Sequence, residues 1–389
     1  MAKPKKSAGR ARKTNGPAAR QHGRDARKHA AAKKPGTRAT KRGPQERQPA
    51  PGPRTPVPAK QRVPRKRTAP RKRTGPPGTG APKEGGRRAT ARSRGLAAAA
   101  AAREALWSVK VLSPEDTLSG NPDTSPGTFD ARILAEGDSW FTIGAIPSSN
   151  LLFELRFPRS TAVVNVAYPG DTLKRIADLK SNRDLRSLLT DPRFGWKWDA
   201  IVLSAGGNDL IDRAGGLLRV PPGGSGRRPD DYIDRVALDA LVADVQQGYR
   251  DIVALRDSTP LNANVPIVVH TYDYPTPRNA PAKFLFVGFL GPWLHRALEA
   301  ARVPEPLRAG VADRLLDALA EGIRALAREL PAFHVVDTRR TLVPAAPGAL
   351  GSSGDWLNEI HPTPAGYAKI AARLQPEIER LVAASLRTR

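Results

Sequence analysis

From Ala131 onward, five short apolar runs alternate with stretches of helical periodicity. That alternation restricts the fold to an α/β architecture built on a parallel sheet. The runs are Ala131 to Glu136, Ala162 to Val166, Ala200 to Ser204, Val265 to His270 and Phe333 to Val336. Each is rich in Val, Ile or Ala and closes near Gly, Asp, Pro or Ser. Near-continuous apolar runs of this kind suit strands covered by helices on both faces.

The helical stretches carry apolar stripes. Val311, Leu315, Leu319, Ile323, Leu326 and Leu330 recur every three to four residues and predict one amphipathic helix. Ile233, Val236, Leu241, Val245, Ile252 and Leu255 predict another. A last helix is expected to start with Thr363 as N-cap and Pro364 in its first position. It continues through Ile370, Leu374, Ile378 and Leu381, with a kink expected at Pro376. Two insertions interrupt the pattern. The Gly/Pro/Arg-rich segment from Ala214 to Pro229 reads as a mobile loop. The segment 274–303 contains Phe284, Phe286, Phe289 and Trp293, and reads either as a wall or lid of a binding pocket, or as packing for an extra helix.

Upstream of this pattern the composition changes character. Residues 1–94 hold 30 Lys/Arg against Asp25, Glu46 and Glu84, which accounts for the whole formal charge of +27. The rest of the chain is neutral, with 34 residues of each sign. The basic stretch is built from Lys, Arg, Pro, Ala, Gly and Thr, which bury too little apolar surface to offset the entropy of ordering. It is expected to be a disordered tail able to hold nucleic acid or an anionic surface without sequence specificity. The expected organisation is a tail over 1–94, a helical junction over 95–130 and a folded domain over 131–389. No cysteine is present, which excludes disulfides, thiol catalysis and cysteine-ligated metals. The sequence has no apolar run of membrane-spanning length. Its alanine run, Ala97 to Ala102, lies too far from the start and too near Arg103 and Glu104 for a signal peptide. A cytoplasmic location is the expectation; oligomeric state is not legible.

The residues with chemical potential cluster where ligands of parallel sheets bind, after the carboxyl ends of the strands. The first run leads into Gly137-Asp138-Ser139-Trp140 and the second into Tyr168-Pro169-Gly170-Asp171. The third leads into Gly206-Gly207-Asn208-Asp209, and the last is followed by Asp355-Trp356-Leu357-Asn358-Glu359-Ile360-His361-Pro362. No repeated His/Asp/Glu spacing signals a metal site, no phosphate loop occurs, and no cofactor is implied.

In order and placement, Ser139, Gly170, Asn208 and His361 resemble the four hallmark residues of the GDSL/SGNH hydrolases, over about residues 132–381. The resemblance implies a three-layer α/β/α sandwich with a flavodoxin-like sheet of about five strands, and cofactor-free hydrolysis of a small-molecule or lipid ester through a serine acyl-enzyme. It implies Ser139 as nucleophile and His361 as general base. The backbone N–H of Ser139, the N–H of Gly170 and the amide of Asn208 would form the oxyanion hole. The chain departs from the family in one place: Asn358 stands where an aspartate usually holds the imidazole. Asn358 and Asp355 are both candidates for that role, with Glu359 a third. Asp138, Asp209 and Asp273 are expected to brace loops, and His270 to pack at a strand end. A rival reading takes the hydrolase fold as a weakened enzyme serving as a polyanion-binding module.

Overall fold

The five apolar runs become five strands of one parallel sheet, and a sixth strand joins at one edge. The computed structural model describes residues 106–388 except 119, 120, 122, 143–148, 179, 181, 194 and 285–287. The basic segment 1–94 and the alanine run therefore lie outside the described residues, all of which fall in the compact unit Gly80–Arg389.

The strands in chain order are β1 (Trp107–Ser108), β2 (Lys110–Leu112), β3 (Ala131–Gly137), β4 (Arg156–Phe157), β5 (Thr161–Asn165), β6 (Ala200–Ser204), β7 (Ile267–His270), β8 (Ala282–Phe284), β9 (Gly288–Leu290) and β10 (Phe333–Val336). The main sheet has the order β10-β7-β6-β3-β5-β2, with every pairing parallel. Strands β1 and β4 pair antiparallel outside it, as do β8 and β9. All five residues of β6 are buried, as expected where helices cover both faces. Edge strand β2 comes from the stretch expected to be a helical junction. Its three residues are too short a run to stand out by periodicity, and register with Ala162, Val163 and Val164 of β5 defines it.

The helices are α1 (Pro114–Leu118), α2 (Ser139–Thr142), α3 (Leu173–Ala177), α4 (Arg183–Thr190), α5 (Gly207–Arg213), α6 (Arg235–Asp257), α7 (Leu294–Ala300), α8 (Glu305–Leu326) and α9 (Pro364–Arg387). Helices α6 and α8 pack together, and α9 packs on β4, β6, β7 and β10. The stripe of α8 is buried from Val311 to Leu326 as predicted. That of α6 runs through Leu238, Leu241, Val245, Ile252 and Leu255, while Val236 is 81% exposed. Val236 lies five positions before Leu241, off the face that residues three and four apart share. Thr363 caps α9 by accepting the Gly366 N–H at 3.1 Å, and the helix runs unbroken through Pro376.

The Gly/Pro/Arg-rich loop is tied at its base. Arg219 N–H donates to the Tyr232 carbonyl and Asp234 N–H to that of Leu217, both at 2.9 Å, and Tyr232 is buried. The aromatic insertion contains the β8–β9 hairpin and α7; the side chains of Phe284, Phe286 and Phe289 lie outside the described residues.

The sheet order places the site. The chain leaves β3 for β5 on one side, then returns past β3 to β6 on the other. The direction of winding reverses there, and the crevice beyond the carboxyl ends of β3 and β6 is where open α/β sheets bind ligands. Ser139 follows β3 and Asn208 follows β6.

Candidate active site

Ser139 opens α2 immediately after β3, and its side chain meets a loop from the far end of the sequence. Asp138 fixes the turn: its N–H donates to the Ser204 carbonyl at 2.9 Å, and its carboxylate accepts the Trp140 N–H at 3.0 Å. Ser139 is 7% exposed, and its Oγ lies 2.8 Å from Nε2 of His361. The His361 loop is braced on itself. Leu357 N–H donates to the His361 carbonyl at 2.8 Å, Thr363 N–H to that of Asp355 at 2.7 Å, and the Trp140 indole to that of Ile360 at 3.2 Å.

Asn358 Oδ1 faces His361 Nδ1 at 3.0 Å and also accepts the N–H groups of Ile360 and His361, at 3.1 and 3.0 Å. Two backbone donors identify that atom as the amide oxygen. Against an acceptor oxygen, Nδ1 must carry the imidazole proton, so Nε2 presents a lone pair to the Ser139 hydroxyl. Burial alone pushes the His361 imidazole down to about 3, so the ring is neutral and ready to accept a proton near neutral pH.

The other two candidates point elsewhere. The Asp355 carboxylate accepts the Val343 N–H at 2.6 Å and pairs with Lys369 Nζ at 2.5 Å. Glu359 is fully buried and accepts the N–H groups of Trp293 and, at 2.7 Å, His295 at the start of α7; burial pushes its carboxyl up to about 7. Of the three side chains weighed from sequence, Asn358 is the one against the imidazole. Its own carbonyl accepts from Arg278 Nη2 at 2.7 Å. Arg278 is buried and also donates to the carbonyls of Ala349, at 2.8 Å, and Gly351.

Of the remaining predicted residues, Asn208 and Asp273 line the pocket beside Ser139, and Gly170 lies in the loop after β5. Gly170 has φ of 83°, a left-handed conformation that favours glycine. Asn208 Nδ2 donates to the Asp171 carbonyl at 2.9 Å, and Asp209 accepts the Leu173 N–H at 2.8 Å. These two bonds tie the Gly170 loop to the turn after β6. An amide nitrogen has two hydrogens, so Asn208 keeps a second donor. Gly207 is required by packing: a Cβ there would meet the Tyr272 ring at 2.7 Å. Asp273 accepts the N–H groups of Arg340, Thr341 and Leu342, each at 2.7 Å, which holds the segment after β10.

Beside Ser139 opens a narrow pocket of about 40 Å³, lined in part by Leu210, Ile211, Pro275, Leu294, Leu316 and Ile360. Trp293 of the insertion sets its ring edge-on to His361, with centroids 6.0 Å apart. Sequence reasoning missed Arg278, Ser204 and the orienting contacts of Tyr272. Ser204 carried the signal of a polar residue closing an apolar strand; Arg278 carried none. No group of three or more metal-ligating side chains is placed to hold an ion among the described residues, and no described helix is long and apolar enough to cross a membrane.

No curated protein matches the chain by sequence. Solved structures similar to it include the lipase Lip_vut3 from a goat rumen metagenome (13% identity, TM-score 0.41, covering 64% of this chain and 99% of that one). A putative arylesterase from Agrobacterium tumefaciens gives 18% identity and a TM-score of 0.38, covering 64% and 99%. An acetylxylan esterase from Geobacillus stearothermophilus gives 18% and 0.32, covering 64% and 94%. Residues 137–369, more than half of the chain, match the GDSL-like lipase/acylhydrolase family. With Ser139 and His361 both inside the matched span, this chain belongs to the GDSL-like lipase/acylhydrolase family of ester hydrolases.

Proposed function

We propose that the protein hydrolyses carboxylic esters through an acyl-enzyme on Ser139. His361 Nε2 takes the hydroxyl proton as Oγ attacks the ester carbonyl, and returns it to the departing alcohol. Water then attacks the acyl group by the same route and releases the acid. Asn358 holds the reactive tautomer. The N–H groups of Ser139 and Gly170 and the Asn208 amide receive the oxyanion; losing one such donor costs about 2.7–4 kcal/mol of barrier. Asp355 is assigned to the loop, on the strength of its bonds to Lys369 and Val343.

The observation that carries this reading is the Ser139 Oγ to His361 Nε2 contact of 2.8 Å, with Asn358 Oδ1 on the opposite ring nitrogen. A fluorophosphonate probe tests it. The protein is expected to be labelled and to turn over p-nitrophenyl esters, and both should vanish in Ser139→Ala. Equal labelling of that variant would remove Ser139 from the mechanism.

A further inference from the structure

Asp138 heads a second buried polar cluster that the ester chemistry leaves unused. Its members are Asp138, Ser204 at the end of β6, His270 at the end of β7, and Tyr272, all buried. Asp138 Oδ1 lies 2.9 Å from Ser204 Oγ, and the same Oγ lies 3.0 Å from His270 Nε2. His270 Nδ1 lies 3.0 Å from the Thr271 carbonyl, and the Tyr272 hydroxyl donates to Asp138 Oδ2.

These contacts need more protons than the resting groups supply. A carbonyl oxygen only accepts, so His270 Nδ1 must be protonated. The tyrosine proton is used on Oδ2. The one proton of Ser204 can point to Asp138 or to His270, not to both. With an ionised carboxylate and a neutral imidazole, one of the two Ser204 contacts would then face lone pair against lone pair. In a buried cluster that is a costly arrangement.

We propose that the Asp138–Ser204–His270 relay retains one additional proton, which keeps the carboxyl next to the nucleophile uncharged, and that Asp138 and His270 are thereby positioning residues for the oxyanion site. The role in catalysis rests on Ser139 being the nucleophile; the proton itself does not. With the proton on Asp138, the carboxyl donates to Ser204 and Ser204 donates to Nε2. With it on His270, the direction reverses. The surroundings favour the first form. Burial pushes Asp138 up to about 6 and His270 down to about 4. The charged neighbour acting on Asp138 is Asp209, of the same sign, and Tyr249 and Tyr367 face it as buried neutral phenols. His270 is enclosed by Trp140, stacked at 5.4 Å, and by Phe141 and Tyr272. Among the described residues, no cation in this shell offsets an Asp138 carboxylate. An oxyanion forming at the adjacent residue would meet that negative charge directly.

The test uses the full chain. Difference infrared spectra of the wild type against Asp138→Asn, at about pH 5–6, should show a protonated-carboxyl band that titrates away as pH rises. In His270→Gln the amide donates to Ser204, Ser204 donates to the carboxylate, and no additional proton is needed. The band should be absent there, whereas Ser204→Ala, which removes a donor to the carboxylate, should keep the band and move its loss to higher pH. Fluorophosphonate labelling of the wild type should slow by about tenfold as the proton leaves, whereas His270→Gln should be slow throughout and nearly flat over the same pH range. Should His270→Gln fail to fold, the wild-type band and Ser204→Ala decide the question. Absence of the band in the wild type overturns the proposal, as does a His270→Gln profile of wild-type shape with only a uniform loss. Absence of any labelling, with the band present, would instead overturn the reading of Ser139.

Discussion

At the scale of single residues, the amide at position 358 shapes how His361 works. In the proposed mechanism the imidazole becomes a cation when it takes the Ser139 proton, and Asn358 offers it a dipole where a carboxylate would offer a charge. Asn358→Asp should therefore raise kcat by about tenfold or more. The sign of its pH effect follows from the same cause. An adjacent carboxylate raises the pKa of the ring from its buried value near 3, and the neutral ring is the active form. The acid limb of the pH–rate profile should move to higher pH, which ester turnover across pH measures. The pocket makes a second prediction. Its walls are apolar and Leu316 lines it, so acyl groups longer than acetyl should be preferred, and Leu316→Trp should shift that preference to shorter chains. Rates for p-nitrophenyl esters of two to twelve carbons check both; a clear acetyl preference in the wild type would refute the assignment. Ser139, Gly170, Asn208 and His361 were legible because each follows an apolar strand or precedes a capped helix. The choice between Asn358 and Asp355 was not, since it depends on how one loop folds back. Arg278 was invisible because it bonds to backbone carbonyls 70 to 80 positions away, and a carbonyl leaves no trace in a sequence.

Among elements, the close packing of α6 against α3 bears on the Gly170 loop. Gly248 sits inside α6, where alanine would ordinarily gain about 1 kcal/mol of helix propensity. Here a Cβ would meet Leu173 Cγ at 2.6 Å. Leu173 opens α3, three residues after Gly170, and its N–H is held by Asp209. Gly248→Ala should therefore destabilise, by about 1–3 kcal/mol, and lower kcat by moving the Gly170 loop. Denaturant unfolding and ester kinetics on the same variant measure the two effects. The long helices and five strands were readable from their periods because each buries a continuous stripe or run. The edge strand β2 and the β8–β9 hairpin were not, because three-residue strands are defined by the neighbour they pair with.

For the molecule as a whole, buried acids set an unusual pH dependence of stability. Glu136 is fully buried and its carboxyl is pushed up to about 8 by burial, against bonds from Gly137 and Asn182 that lower it. Between its ordinary value of 4.5 and 8, the folded state holds a proton that the unfolded chain has released, so stability falls as pH rises. His270 and His361, pushed down by burial, act in the opposite sense but only below their ordinary 6.5. From pH 6.5 to 8 the acid is unopposed, and the loss should be about 2 kcal/mol. Urea unfolding at the two pH values should show it, and Glu136→Gln should remove most of the slope. The segregation of charge into residues 1–94 was plain from composition, and the α/β class from alternation. What stayed hidden at this scale was the joining of distant segments.

One such join decides how substrate can arrive. Glu359, two residues before His361, holds the first turn of α7, while Arg278 of the same insertion holds the carbonyl of Asn358. The insertion is thus fastened at two points to the loop that carries the base. If it swung open like a door, it would pull on the His361 loop as on a hinge. Any widening of the crevice on that side must therefore break these bonds or disturb the proposed base.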